Sequence, residues 1–310
     1  VKRVLVTGAS GYIGRQTLAP LKARGFEVHG TARGAFEAPG VAWHAANLLN
    51  AEQCRQLIHE IRPSHLLHLA WDVSTGYWSR PNNDDWASAT LALASEFHGA
   101  GGRRFVAAGT CAEYDWTEIT GPLTEHGSPR RPATVYGRAK EATRRQLAEI
   151  SAAAGGSLAW GELFHSYGES EKLDRLVPIV IKNLLTGQPA PLTSGKQIRD
   201  FLDVRDIGAG FAAIIDSAVE GPVNLASGIG ISVHSLCEKL GALCQRPDLL
   251  QFGRLPDRPD DPPSLIADTT RLRNEVGFTP AISLEAGLSH TVKWWRPSVA
   301  ISAPIIRTER

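Results

Sequence analysis

The segment Val4-Leu5-Val6-Thr7-Gly8-Ala9-Ser10-Gly11-Tyr12-Ile13-Gly14 limits the folds open to this chain more than any other. A strand-length apolar run ends in Gly-x-x-Gly-x-x-Gly, and a helical stretch, 14–24, follows at once. Strand, tight turn and helix start present backbone N–H groups and the positive end of a helix to a pyrophosphate. The segment predicts a bound nicotinamide dinucleotide held by Gly8, Ser10, Gly11, Tyr12, Ile13 and Gly14.

The rest of the first half repeats the alternation. Strands are expected at 3–7, 27–32, 42–45, 65–69, 104–108 and 157–163, and helices at 14–24, 51–61, 85–99 and 135–154. Strands separated by helices make a parallel sheet buried on both faces, which explains continuous apolar runs such as Val4-Leu5-Val6. The expected fold class is α/β, a Rossmann-type doubly wound parallel sheet. After Tyr167 proline and glycine become frequent, with helical pieces at 173–185, 204–217, 233–243 and 284–294. The reading divides the chain into a dinucleotide-binding domain, 1–166, and a smaller α/β substrate-binding lobe, 167–310, with strand exchange between them allowed.

Charge excludes some partners. Lys plus Arg total 33 against 32 for Asp plus Glu, so no net field recruits nucleic acid or a membrane surface. The pair Arg130-Arg131, flanked by Pro129 and Pro132, reads as a solvated loop. Cys54, Cys111, Cys237 and Cys244 have neither zinc-site spacing nor a disulfide framework, so no metal is expected, and the cysteines fit a reducing compartment. With no membrane-length apolar run and no leader pattern, a cytoplasmic location is expected.

Three further features carry chemistry. The second strand ends Thr31-Ala32-Arg33-Gly34, without an acid for a free 2′-hydroxyl and with an arginine suited to a 2′-phosphate, which favours NADP(H) over NAD(H). Tyr136 and Lys140 stand four apart, on one helix face, where an ammonium is expected to lower the phenol pKa and ready it for proton exchange. Phe105 to Thr110 is a buried run ending in a hydroxyl residue, at the strand end where open parallel sheets place their sites.

Taken in order, these features resemble the extended short-chain dehydrogenase/reductase superfamily, the NAD-dependent epimerase/dehydratase family. Further matches are Asn47-Leu48, His68-Leu69-Ala70-Trp71, Arg199-Asp200-Phe201-Leu202-Asp203-Val204-Arg205-Asp206 and Ala267-Asp268 with Gly277-Phe278-Thr279-Pro280. The resemblance implies that Thr110 hydrogen-bonds the reacting oxygen and that Tyr136 is the general acid/base. It gives Lys140 the tuning of Tyr136 and the nicotinamide ribose, and adds Asn47, Leu48, Leu69, Ala70 and Leu163 to the cofactor site. It also implies a nucleotide-linked sugar substrate whose diphosphate meets Arg199, and a homodimer built on the helices at 85–99 and 135–154; Arg258, a second guanidinium fork suited to phosphate, with Trp71 and His165, completes the expected substrate site.

Departures from the family pattern narrow the reaction. Cys111 and Ala112 follow Thr110 where 4,6-dehydratases carry acids, and Glu113 comes one position later, which disfavours dehydration. Glu162 and His165 replace an arginine and an asparagine, and Trp86 replaces a polar residue. A 4-keto sugar reductase is the first expectation and a nucleotide-sugar 4-epimerase the second; a non-catalytic dinucleotide-binding regulator is the third. Trp71, Trp78, Trp86 and Trp116 are candidate walls for a sugar pocket.

Overall fold

Neighbouring residues of the first strand face opposite ways, and both ways lead into core. Val4 and Val6 belong to one apolar cluster and Leu5 to another, all three fully buried. A strand covered on both faces needs helices on both sides of its sheet, and the chain supplies them. The computed structural model describes residues 2–34, 36–117 and 119–301. Residue 1 of the expected first domain and 302–310 of the expected second lobe lie outside the described residues.

The elements run β1 (Arg3–Thr7), α1 (Gly14–Ala23), β2 (Glu27–Ala32), β3 (Ala42–Ala45), α2 (Ala51–Ile61), β4 (His65–His68), α3 (Asn83–Gly99), β5 (Arg104–Thr110), α4 (Val135–Ala153) and β6 (Ser157–Leu163). The second half adds β7 (His165–Tyr167), α5 (Leu176–Leu185), β8 (Ala190–Pro191), β9 (Ile198–Asp203), α6 (Val204–Asp216), β10 (Gly221–Leu225) and β11 (Gly230–Ser232). It ends with α7 (Val233–Cys244), β12 (Leu250–Gln251), β13 (Ser264–Leu265), α8 (Thr270–Asn274) and α9 (Leu284–Ile301).

The central sheet is parallel throughout, in the order β10-β6-β5-β4-β1-β2-β3. One face packs Val4, Val6, Leu67, Val106 and Val223 against Leu18 and Leu21 of α1 and Ile207 and Phe211 of α6. The other packs Leu5, Leu66, Phe105 and Trp160 against Ile58 of α2, Phe97 of α3 and Leu147 of α4. The strand order reverses between β1 and β4, and an open parallel sheet takes its ligand in the crevice beyond the carboxyl ends of the strands at that point.

The second lobe is organised around α5, α7 and α9, with Ile181, Leu236 and Leu288 fully buried among them. Its sheet joins β9 to β7, β11 and β13. The chain does not part cleanly at 166: α6 and β10 return to the first layer, where β10 pairs with β6 and α6 packs on α1. Most helix limits fall within two residues of the spacing, and two differ by more. Helix α5 starts at Leu176 because Arg175 is extended and its N–H closes a turn on Lys172. Helix α9 continues through Pro297 to Ile301, past the expected stop at 294.

Candidate active site

The glycine turn is built for close backbone approach. A Cβ on Gly14 would lie 2.1 Å from the Gly8 carbonyl oxygen, so no other residue opens α1 in this geometry. The Gly11 N–H closes the turn on that carbonyl at 2.9 Å, and Arg15 pins the Ser10 carbonyl at 2.7 Å. Thr7, at the end of β1, accepts hydrogen bonds from the amides of Leu69 and Ala70 at 3.1 and 3.3 Å, bringing the two expected cofactor residues beside the turn.

His68 fastens the same corner. Its Nδ1 lies 2.9 Å from the Thr7 hydroxyl and its Nε2 3.0 Å from that of Thr90, which donates to the Trp86 carbonyl. Burial, with Lys140 nearby, takes the imidazole down to about 3, so it is neutral and links β1, β4 and α3.

The residues on hand fit a dinucleotide. Besides the turn, Thr31 Oγ1 is buried without a hydrogen-bond partner, and the Tyr12 hydroxyl is buried beside the Ser166 side chain. Thr31 stands opposite Thr7 in the sheet, near the end of β2 where an adenosine ribose is read. Arg33 is exposed just beyond it and makes no hydrogen bond or ion pair among the described residues. Asn47 is engaged locally, its side chain accepting from Leu49 N at 3.2 Å, and Leu48 is buried.

The expected reacting group assembles where β5 ends. Thr110 is the register partner of Leu163, and Tyr136, one residue into α4, lies close enough to the Thr110 side chain for that hydroxyl to oppose the rise in the phenol pKa. Thr134 caps α4 by accepting from Gly137 N at 2.9 Å and so fixes the turn that carries Tyr136. Lys140 donates to the Ala108 carbonyl at 2.9 Å and lies under the Trp71 ring, 3.7 Å from its centroid. Thr110, Tyr136 and Lys140 are all buried.

The expected depression of the Tyr136 pKa does not hold. Burial pushes the phenol well above its ordinary range, and the charges of Tyr77 and Glu113 push the same way. The physical reason is cover. The ring of Tyr77 meets that of Tyr136 edge-on at 4.8 Å, and Trp78 at 5.7 Å. Lys140 is turned toward Trp71, with its Nζ 6.0 Å from the Tyr136 ring. Burial lowers the pKa of Lys140 itself, opposed by the Glu113 carboxylate.

The covering segment, 71–80, is strapped to the second lobe. Thr75 donates to Asp174 at 2.5 Å, Lys172 and Arg175 donate to the Val73 carbonyl at 3.0 and 3.2 Å, and the Arg175 guanidinium lies 5.1 Å over the Tyr77 ring. Trp78 and Trp116 meet in this cover, their ring centroids 6.3 Å apart, whereas Trp71 is spent on Lys140 and on Asn83, to which its indole donates at 2.8 Å. Tyr77 and Arg175 had no recognisable sequence signal, because their partners come from the other lobe.

The expected substrate residues are less uniform. His165 is half-buried with an unpartnered Nδ1, and burial beside Arg199 lowers its pKa to about 3. Arg199 is buried with its nitrogens committed to the Ile198 and Pro262 carbonyls, both at 2.8 Å, and to Asp261 at 2.6 Å. Arg258 is exposed on the loop that supplies Asp261 and Pro262, and its carbonyl accepts from Asp261 N at 3.2 Å.

Arg130 is not the solvated residue that its sequence context predicts. Its side chain is only 11% exposed and lies 2.5 Å from Glu162, 3.4 Å from Glu141 and 3.5 Å from Glu113. Three buried carboxylates require a buried cation, and the proline-flanked loop delivers one. Arg131 remains exposed and pairs with Asp115 at 2.5 Å.

Comparison with known proteins identifies the family. The model of the NAD dependent epimerase/dehydratase family matches residues 4–230. A dTDP-glucose 4,6-dehydratase of Haemophilus influenzae is 27% identical over 206 residues, 62% of this chain and 60% of that protein. A UDP-glucose 4-epimerase of Corynebacterium glutamicum is 26% identical over 305 residues, 90% of this chain and 91% of that protein. The solved Thermus thermophilus UDP-glucose 4-epimerase in complex with NAD superposes with a TM-score of 0.84 at 24% identity, covering 95% of this chain and 99% of that one. The chain belongs to the NAD dependent epimerase/dehydratase family of enzymes.

Proposed function

We propose that the chain is a 4-keto sugar reductase acting on a nucleotide-linked sugar, with Tyr136 as the proton donor and NADP(H) preferred. The observation that carries the reading is the convergence of Thr110, Tyr136 and Lys140 at the end of β5, next to the glycine turn. A bound nicotinamide supplies the hydride. Thr110 orients the keto oxygen, and Tyr136 gives its proton to the alkoxide that forms. A phenol held well above its ordinary pKa is fully protonated at neutral pH, which suits donation to a strong base. Lys140, whose pKa burial takes down to about 7, adds positive charge beside the pair in its ammonium form.

The carboxylate of Glu113 turns inward to Thr110 N and Trp160, leaving Cys111 and Ala112 beside Thr110, which argues against elimination of water. The likeness to a UDP-glucose 4-epimerase supports a second reading, epimerisation. That reaction requires the keto sugar to turn over between two hydride transfers, and the crowding of Tyr77 and Trp78 over Tyr136 favours single delivery. Arg33 supports NADP(H), and Thr31 leaves it unopposed by an acid. A homodimer through α3 and α4, which pack side by side, completes the proposal.

The test is NADPH oxidation with a nucleotide-linked 4-keto sugar, with loss of about a hundredfold or more in Tyr136→Phe. Interconversion of C4 epimers without net cofactor change establishes the second reading. Tight dinucleotide binding with no turnover of any nucleotide-linked sugar overturns both.

A further inference from the structure

The open edge of the central sheet carries two histidines that face each other. β3 ends the sheet beside β2, with Thr31 opposite His44 and His29 opposite Ala42. Register partners share a face, so His29 and His44 stand diagonally on one side of the sheet, and Glu60 of α2 approaches from that side. His29 Nδ1 lies 2.9 Å from His44 Nε2. At that approach a centroid separation of 5.2 Å is the largest that two five-membered rings allow, so the rings meet end to end, their planes 24° apart. An in-line contact of this length is that of an N–H···N hydrogen bond. A divalent ion bonded to both nitrogens at about 2.0–2.1 Å would hold them farther apart.

Each ring is also engaged at its other nitrogen. His29 Nε2 meets Glu27 Oε1 at 3.0 Å, and His44 Nδ1 meets Glu60 Oε1 at 3.6 Å. Glu27 is held below the usual carboxylate range, first by His29 and then by Arg3 of β1, 3.1 Å away. One chain of four side chains, running Glu27, His29, His44, Glu60, thus joins β2, β3 and α2. Among the described residues no other charged side chain forms an ion pair with either ring.

Counting hydrogens fixes the state of the chain. A neutral imidazole carries one N–H. The three contacts need three hydrogens and two neutral rings bring two, so one added proton satisfies all three. Without it the longest contact, to Glu60, loses its donor. With a second added proton both facing nitrogens carry hydrogen, and two positive rings abut. That second proton is resisted: burial, and then the charge on His29, hold His44 below the ordinary imidazole range, with Glu60 opposing.

We propose that Glu27, His29, His44 and Glu60 form an acid-released latch that holds the edge strand β3 against β2 and α2 and so keeps the adenosine end of the dinucleotide site in shape. His44 is the register partner of Thr31, whose Oγ1 is buried unpartnered, and Arg33 follows Thr31 by two residues. Beyond the latch, Ala46 N donates to the Ala32 carbonyl at 3.0 Å and continues the pairing. The unfolded chain takes up a proton on His44 where the folded chain resists it, so stability falls as pH drops below about 6.5. Dinucleotide binding, which needs β3 in place, weakens with it. The inference rests on the reading of Thr31 and Arg33 as the ribose end of that site.

The test compares the native protein with His44→Gln, whose amide oxygen can accept from His29 and whose NH2 can donate to Glu60 without titrating. Between about pH 7.5 and about pH 5.5 the Kd for NADPH, or for NADH if that binds tighter, is expected to rise about three- to tenfold more in the native protein. Displacement of one titration by up to about one pH unit gives that factor. The urea midpoint is expected to fall further in the native protein as well. Equal acid dependence of the two proteins overturns the latch, and a difference confined to the urea midpoint overturns its role toward the dinucleotide. Should His44→Gln not fold, nitrogen-15 labelling of the ten histidines of the native protein gives a second reading. A coupling between His29 Nδ1 and His44 Nε2 across the shared hydrogen is expected at about pH 7 and lost near pH 5, and its absence at about pH 7 overturns the proposal. Neither reading requires turnover, so a chain that reduces no nucleotide-linked sugar can pass and one that does can fail.

Discussion

The Tyr77 ring stands edge-on to the Tyr136 ring, their planes 85° apart, and the guanidinium of Arg175 covers Tyr77 from the second lobe. Access to the proposed acid thus depends on a strap held by few hydrogen bonds. An exposed bond such as Thr75 to Asp174 contributes about 0.5–1.5 kcal/mol. Asp174→Ala is expected to speed amide hydrogen exchange across residues 72–79 by about two- to tenfold. Exchange in β5 should not change. Equal exchange in both proteins rules out the strap.

Arg33 carries the proposed cofactor preference. It is exposed and uncommitted among the described residues, so a 2′-phosphate need not compete with a protein carboxylate for it. Charge-assisted bonds of this kind contribute about 1.5–3 kcal/mol. Arg33→Ser should raise the KM for NADPH by about tenfold or more and leave that for NADH nearly unchanged. Equal effects on both cofactors remove Arg33 from the ribose site.

Arg130 offers a stability test. Replacing it with Met leaves Glu113, Glu141 and Glu162 without their common cation, and breaking a buried pair from one side costs about 3–5 kcal/mol. Urea unfolding at neutral pH measures it. A loss below about 1 kcal/mol contradicts the buried-cation role.

Glu171 predicts a pH-dependent effect. It is buried, its Oε2 has no hydrogen-bond partner, and burial is the main cause that raises its pKa to about 8, although Arg175 opposes the rise. The folded state therefore binds more protons than the unfolded state from near pH 4.5 to near 8, and stability falls across that window as pH rises. Glu171→Gln removes the penalty. It should stabilise the cofactor-free protein at pH 8 by on the order of 2 kcal/mol and have little effect at pH 4.5. A gain independent of pH points to packing instead.

Local signals were readable and distant ones were not. β1, β2, β3 and β6 lie where apolar runs bounded by turn residues placed them, and Tyr136 and Lys140 share a helix face because a four-residue spacing guarantees it. The Thr110 end of β5 was legible for the same reason. Arg130 was misread because its partners, Glu113 and Glu162, lie 17 and 32 positions away and converge only when β5 and β6 pair. The raised pKa of Tyr136 had a similar origin: spacing reveals Lys140, but the cover by Tyr77 depends on Arg175 and on how the lobes meet. Arg199 kept its motif position, yet its pairing with Asp261 could not be read from either residue alone.

The return of α6 and β10 to the first layer sets a condition on synthesis. Until Leu225 has emerged from the ribosome, β6 has a bare edge where β10 will pair, and Leu18 and Leu21 lack the α6 side chains that cover them. A bare edge beside uncovered apolar surface is a template for another chain. A protein halted or cleaved before that point is therefore an aggregating fragment, not a smaller dinucleotide-binding unit.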